Sequence, residues 1–157
     1  MKIQLWSIGK SHEPYIKPGI DLYSKRISHY FPLEWKLISP RKDAASLSLD
    51  ERRKAEGELI LRLLHGTDIL VALDAKGKEI TAEDIAYFLE QKSIESTKTI
   101  IFLIGGAYGM DETVTNRANV LWSLSKMVFP HQLVRLILTE QIYRACTIIK
   151  NEKYHHA

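Results

Sequence analysis

The sequence lacks the features of secreted, membrane-spanning and disulfide-stabilised proteins. It holds one cysteine, Cys146, which leaves no partner for an internal disulfide or a thiolate metal site. No stretch reaches the roughly 18 uninterrupted apolar residues of a membrane span. The start MKIQLWSIGK lacks the apolar run and cleavage site of a signal peptide. We therefore expect a cytoplasmic protein without a metal, in which Cys146 is a small buried hydrophobe.

Two phosphate-binding signatures are also missing. The chain has no GxxxxGK[ST] motif, and its GGAYG segment at 105–109 differs from the GxGxxG of dinucleotide folds. A net charge of +3 permits nucleic-acid binding without requiring it. With 157 residues, of which 45% are hydrophobic, the chain can form one domain with a sizeable core.

Apolar runs alternate with helical patterns along the chain. Strands are predicted at 1–8, 33–39, 69–73, 100–104 and 120–124. Helices are predicted near 20–30, after the capping pairs Ser48/Glu51 and Thr81/Asp84, from Asp111 to Arg117, and over 133–149. Gly66 is the expected C-cap of the second helix. The near-continuous apolar runs are typical of parallel strands covered on both faces, so the pattern predicts one α/β domain.

Three strand ends are candidates for a ligand site. In an open α/β sheet, ligands bind beyond the carboxyl ends of the strands. The relevant segments are Leu73–Asp74, the glycine-rich 105–109 and residues 124–129. Glycine permits a close backbone approach or a positive φ, although an ordinary strand-to-helix turn explains the same composition.

The last helical pattern is apolar on more than one stripe, which predicts that it lies centrally in the fold or against a second subunit. His131 and Arg135 at its start are most simply a cap and a surface charge. Arg144 interrupts the apolar surface and needs a carboxylate or phosphate partner. A pair with a glutamate explains it equally well.

The C-terminal tail, NEKYHHA, has two explanations. It can be a frayed terminus, or Tyr154 can stack on a base while His155 contacts phosphate or base edges, as in proteins that bind unpaired RNA. Taken alone, the tail favours fraying.

Three segments together resemble a known family. LIGGAYG at 103–109, WSLSKMVFPHQLVRLILTEQIYRACTI at 122–148 and YHH at 154–156 are similar to the ribosomal RNA large-subunit methyltransferase H family, in the SPOUT class. The resemblance spans essentially the whole chain. It implies one domain over residues 1–157, with a mostly parallel sheet, helices on both faces and a trefoil knot within about residues 70–157.

The resemblance also implies a methyl donor, S-adenosylmethionine, held in the knot. The matching positions are Leu73, Gly105, Leu124, Ser125, Lys126, Met127, Val128 and Phe129. The implied substrate is a pseudouridine of 23S rRNA, methylated at N3 in the assembled ribosome. A two-fold homodimer is expected, in which the tail of one subunit completes the pocket of the other.

The family's substrate-binding or catalytic positions correspond to His131, Arg144, Tyr154 and His155. His131 or His155 can act as a base, and Arg144 can stabilise negative charge or hold a phosphate. The sequence does not assign these roles individually. Two alternatives remain open, namely a SPOUT enzyme acting on a tRNA base or ribose, and a ribosome-binding module without turnover.

Overall fold

The structure, a computed structural model, describes residues 1–106 and 108–154. Its strands are β1 (Lys2–Ile8), β2 (Leu33–Ile38), β3 (Ile69–Glu79), β4 (Thr99–Ile104) and β5 (Val120–Ser123). Its helices are α1 (Lys17–Ile27), α2 (Leu49–Leu63), α3 (Ala82–Ile94), α4 (Glu112–Arg117) and α5 (His131–Ile149). The strands form one sheet in the order β2-β1-β4-β3-β5, with every neighbouring pair parallel. The predicted α/β class is confirmed, whereas the knot stays a prediction.

The predicted capping residues begin three of the helices. Ser48 and Thr81 each form a complete capping box, with Glu51 and Asp84 respectively. The Asp111 side chain accepts a hydrogen bond from the backbone N–H of Thr113 at the start of α4. These side chains satisfy backbone donors that have no partner within the helix. The expected C-cap at Gly66 is wrong, because the C-cap of α2 is Leu64, two residues earlier and in an extended conformation.

Two apolar layers lie on opposite faces of the sheet, because side chains alternate along each strand. In β4, Ile100, Phe102 and Ile104 face one layer, and the two residues between them face the other. Helices α1, α3 and α5 contribute to the first layer, and α2 and α4 contribute to the second. The prediction that helices cover both faces of the sheet is therefore confirmed.

Helix α5 contributes Leu138, Ile142, Ala145 and Cys146 to the first layer. Cys146 is fully buried, and burial raises the pKa of its thiol to about 12, so it packs as the predicted hydrophobe. Within the described ranges, no helix combines the length and apolarity needed to cross a membrane.

Strand β3 continues six residues beyond its predicted end at Leu73. The register with β5 shifts between Leu73 and Lys78, and both of these residues pair with Trp122. Gly77 lies at the shift, where a Cβ atom would come within 2.6 Å of the Trp122 carbonyl carbon. The absence of a side chain therefore allows β3 and β5 to approach each other just before the chain enters residues 124–129.

We predict that Gly77→Ala lowers the free energy of unfolding by about 1–3 kcal/mol, because the added methyl group would clash with backbone atoms that cannot move away freely. Urea unfolding monitored by circular dichroism measures the change. Gly66→Ala is the matched control, since a Cβ there meets nothing within 4 Å. Equal midpoints for the two variants would contradict the proposed steric role of Gly77.

Candidate functional site

Three adjacent parallel strands end at the same edge of the sheet and define the candidate site. Leu73 of β3 pairs with Ile104 of β4 on one side and with Trp122 of β5 on the other. The segments that follow β4 and β5 therefore leave the sheet on either side of Leu73. This arrangement brings together the three strand ends that the sequence indicated as a ligand site.

A cavity of about 590 Å³ lies between these segments. This volume falls within the range of roughly 300–1,000 Å³ that is typical of small-molecule sites. Its lining includes all eight residues predicted to hold a cofactor, namely Leu73, Gly105, Leu124, Ser125, Lys126, Met127, Val128 and Phe129. His131 also lines it, and Arg53, Asp74 and Lys76 add charged groups. The cavity is thus apolar in part, with charges of both signs.

The glycine-rich segment contributes Gly105, Gly106, Tyr108 and Gly109 to one wall of the cavity. Gly109 has a φ of +85°, which favours glycine, and its N–H donates a hydrogen bond to the Gly106 carbonyl at 3.2 Å. A Cβ on Gly105 would lie 2.9 Å from Cγ of Met110, and a Cβ on Gly106 would lie 2.9 Å from Oε2 of Glu56. Glycine at these positions therefore keeps the wall close to its neighbours and leaves its backbone accessible.

Residues 124–129 form the opposite wall and are braced by serine side chains. The Ser123 hydroxyl donates to the Ser125 carbonyl at 3.0 Å, and the Met127 N–H donates to the Ser125 hydroxyl at 3.0 Å. Val128 is 95% exposed and Met127 is 69% exposed. The wall therefore has a hydrogen-bonded turn and presents apolar side chains that a ligand or a second subunit would cover.

Arg135 lies one turn after His131 and is fully buried, so the expectation of a surface charge is wrong. Its Nε donates to the Ser7 hydroxyl at 3.0 Å and its Nη1 to the Lys10 carbonyl at 2.8 Å. Nη1 also lies 3.2 Å from Nδ1 of His12, and Nη2 lies 3.1 Å from Nε2 of His131. These contacts connect the start of α5 to the carboxyl end of β1.

Both histidines next to Arg135 favour the neutral state. Burial lowers the pKa of His131, and the Arg135 charge lowers it further, while a hydrogen bond to the Ile8 backbone opposes the shift. Burial and Arg135 also lower the pKa of His12. The His12 ring additionally packs against the Trp35 ring in a T-shaped arrangement, with ring centroids 4.6 Å apart. At neutral pH, His131 therefore faces the cavity region as an uncharged imidazole.

Arg144 and Tyr154 lie in a second group, at the far end of α5. The guanidinium of Arg144 donates to Glu140 Oε1 at 2.5 Å, and the Tyr154 hydroxyl donates to the same oxygen at 3.0 Å. Arg144 also lies over the Tyr154 ring at 5.0 Å, and Tyr143 is 4.7 Å from that ring. The glutamate partner considered for Arg144 is therefore present, and Tyr154 packs against the helix instead of fraying.

The two groups are well separated within one chain. His131 and Arg144 are 13 positions apart on the same helix, which at about 1.5 Å per residue corresponds to about 20 Å along its axis. Neither Arg144 nor Tyr154 lines the cavity. His155, the fourth predicted residue, lies outside the described residues. One protomer therefore does not bring His131, Arg144 and Tyr154 together around a single base.

Sequence reasoning missed Arg135 and His12. The helical spacing contained a signal for the first, because Arg135 shares a stripe with Leu138, Ile142 and Cys146, all of which are buried. A cation on a buried stripe indicates an internal partner. His12 carried no such signal, since it follows β1 by four residues and meets α5 only in the folded chain.

We predict that the free energy of unfolding falls as the pH is lowered from about 7.5 through the ordinary histidine pKa of about 6.5. The fold lowers the pKa of His12 and of His131, so in this range the unfolded chain binds more protons than the folded chain, until the folded pKa values are reached. Urea unfolding at several pH values measures the slope. His131→Asn should flatten it, whereas His29→Asn, which removes an exposed histidine, should not. Equal slopes for both variants would contradict the attribution of this pH dependence to His131.

Residues 1–155 match the family model described as "Predicted SPOUT methyltransferase". The ribosomal RNA large subunit methyltransferase H of Cytophaga hutchinsonii is 47% identical over 156 residues, which cover 99% of this chain and 100% of that protein. The protein of the same name from Parabacteroides distasonis is 46% identical over 156 residues, covering 99% of each chain. The one from Clostridium botulinum is 42% identical over 158 residues, again covering 99% of each. The chain therefore belongs to the SPOUT methyltransferase family and, within it, to the ribosomal RNA large subunit methyltransferase H group.

Proposed function

We propose that this methyltransferase uses S-adenosylmethionine to methylate N3 of a pseudouridine in 23S rRNA of the assembled ribosome. The observation that carries the proposal is a cavity at the ends of β3, β4 and β5 whose lining includes every residue that the family resemblance implies for cofactor binding. The near full-length similarity to proteins named as large-subunit rRNA methyltransferases supports the choice of RNA.

The residues around the cavity fit S-adenosylmethionine. Leu73, the backbone of Gly105 and the segment 124–129 would hold it, since loop amides and carbonyls can bond adenine while apolar side chains enclose the rings. When bound, the cofactor supplies a methyl group already activated on a sulfonium, so the protein's main task is to align the acceptor nitrogen.

The second group of residues suits the base. Tyr154 offers an aromatic face for stacking, and Arg144 offers a charge for a phosphate or for negative charge that develops on the imide. Both side chains are already oriented, because Glu140 accepts a hydrogen bond from each. Burial raises the pKa of the Tyr154 hydroxyl, as do its hydrogen bonds to Tyr23 and Glu140, so Tyr154 acts as a neutral ring.

The separation of about 20 Å along α5 supports a homodimer with composite sites. In such a dimer, Arg144 and Tyr154 of one subunit would complete the cavity of the other, which a single chain does not do. The exposed side chains of Met127 and Val128 beside the cavity are apolar surface that a partner subunit would cover.

One alternative differs from the proposal in its substrate, and the other differs in having no catalytic activity. A SPOUT enzyme acting on tRNA would have the same cavity, and a ribosome-binding module would not turn over. Transfer of labelled methyl from S-adenosylmethionine to ribosomes, free rRNA and tRNA distinguishes them. Labelling of assembled ribosomes supports the proposal. Label in tRNA alone would contradict it, and absence of both cofactor binding and transfer would favour the module.

We predict that Arg144→Ala lowers methyl transfer to ribosomes at least about a hundredfold while cofactor binding, measured by calorimetry, stays near wild type. The cavity does not include Arg144, so the substitution should spare the cofactor. Lys92→Ala is a matched control, because Lys92 also pairs with a glutamate of its own region and lies near an aromatic ring, Phe88. Comparable loss in both variants, or unfolding of the first alone, would indicate a structural role for Arg144.

We predict that two inactive chains restore activity when they are co-expressed. One carries Arg144→Ala, and the other carries Gly105→Leu, which adds a large side chain to the cavity wall beside Met110. Random pairing makes half of the dimers mixed, each with one complete site, so about a quarter of wild-type transfer should return. Placing both substitutions in one chain and pairing it with either single variant should restore nothing. Absence of rescue in folded mixed dimers would mean that Arg144 serves the cavity of its own chain.

A further inference from the structure

Arg135 is a buried cation that the proposed reaction does not use. In the part of the chain that the structure describes, its hydrogen-bond partners are a hydroxyl, a carbonyl and two imidazoles, on Ser7, Lys10, His12 and His131. A buried charge is stable only when such contacts replace the water it has lost. The cost of burying Arg135 therefore indicates a task that a neutral residue would not perform.

The chemistry of the guanidinium determines the roles of both rings. Arginine has five N–H donors and no acceptor, and it stays protonated in proteins. The two ring nitrogens that it contacts, Nε2 of His131 and Nδ1 of His12, must therefore accept. In a neutral imidazole one nitrogen accepts and the other carries the proton. His131 then has its proton on Nδ1, and His12 has its proton on Nε2.

The charges around the rings favour this arrangement. Protonation of either acceptor nitrogen would place an N–H against the guanidinium and bring two positive charges together. Glu13, on the segment after β1, is the acidic group that raises the pKa of His131 and so partly offsets the effect of Arg135. At His12, the charge of Asp21 raises the pKa, whereas the charge of Lys17 lowers it as Arg135 does.

We propose that Arg135 is a positioning residue that holds His131 as the neutral Nδ1–H tautomer, so that His131 donates only through Nδ1 and offers no free lone pair as a base. The Nε2 lone pair is already taken by Arg135. The consequence for catalysis rests on the proposed function, whereas the tautomer itself does not. The proton that leaves the substrate then goes to an acceptor other than His131.

Gln132 provides a matched comparison, because the hydrogen bonds that its side chain makes hold the same segment and go to Glu13 and Ser11. Its side-chain oxygen accepts from the Glu13 N–H at 3.1 Å, and its Nε2 donates to the Ser11 carbonyl at 3.3 Å. Gly9, with a φ of +125°, begins the turn that brings this segment back to α5. Loss of Gln132 would loosen the segment while leaving the contact between Arg135 and His131 intact.

Nitrogen-15 NMR of the intact, histidine-labelled protein tests the proposal. His131→Asn and His12→Asn assign the signals. We expect an unprotonated Nε2 and a protonated Nδ1 on His131, the reverse on His12, and a His131 titration midpoint below the ordinary value. A protonated Nε2 on His131, or a midpoint at the ordinary value, would overturn the proposal.

Two variants separate the effect of Arg135 from that of the segment. Arg135→Met removes every donor, so the His131 midpoint should rise and its Nε2 should no longer be held as the fixed acceptor. Gln132→Ala should leave the His131 signals in place. If Gln132→Ala shifts them as much as Arg135→Met does, the tautomer depends on segment packing and the proposal fails. If Arg135→Met does not fold, the wild-type spectra still show which nitrogen of His131 carries the proton and so decide whether the proposal holds. Since the spectra need no substrate, their outcome is independent of whether ribosomes are methylated.

Discussion

The parallel register of β3 between β4 and β5 is the constraint on which the site depends. Leu73 pairs with both neighbouring strands, so the segments that follow β4 and β5 must leave the sheet on either side of it. Parallel pairing sends all the carboxyl ends to one edge, and the approach of β5 at Gly77 brings the last segment close. The cavity is therefore a consequence of strand pairing, and the side chains of its walls adapt it to a ligand.

Helix α5 carries the remaining parts of the site at its two ends. At its start, Arg135 connects the helix to the end of β1, where the lost hydration of a buried cation is replaced by four hydrogen bonds. Near its end, Glu140 orients Arg144 and Tyr154. The rigid helix keeps the two groups apart within one chain, and this fixed separation is the physical reason for proposing a second subunit.

Much of the architecture could be predicted from local chemistry. The capping residues Ser48, Thr81 and Asp111 begin helices because their side chains satisfy free backbone donors within a few residues of themselves. The apolar run of β4 indicated a strand covered on both faces. The extension of β3 past Leu73 was missed, since it forms only where Gly77 lets β5 approach.

The sequence by itself determined the α/β class, the capped helices, the strand ends that form the cavity and, through its three matching segments, the family. These features follow from periodicity and from local hydrogen bonding, which act over a few residues. Only the tertiary structure decided the surroundings of Arg135. Its partners on Ser7, Lys10 and His12 lie more than 120 residues away in the chain, and the burial of a charge depends on such distant contacts. The same holds for Tyr154, which packs because α5 and α1 supply neighbours that the tail does not contain.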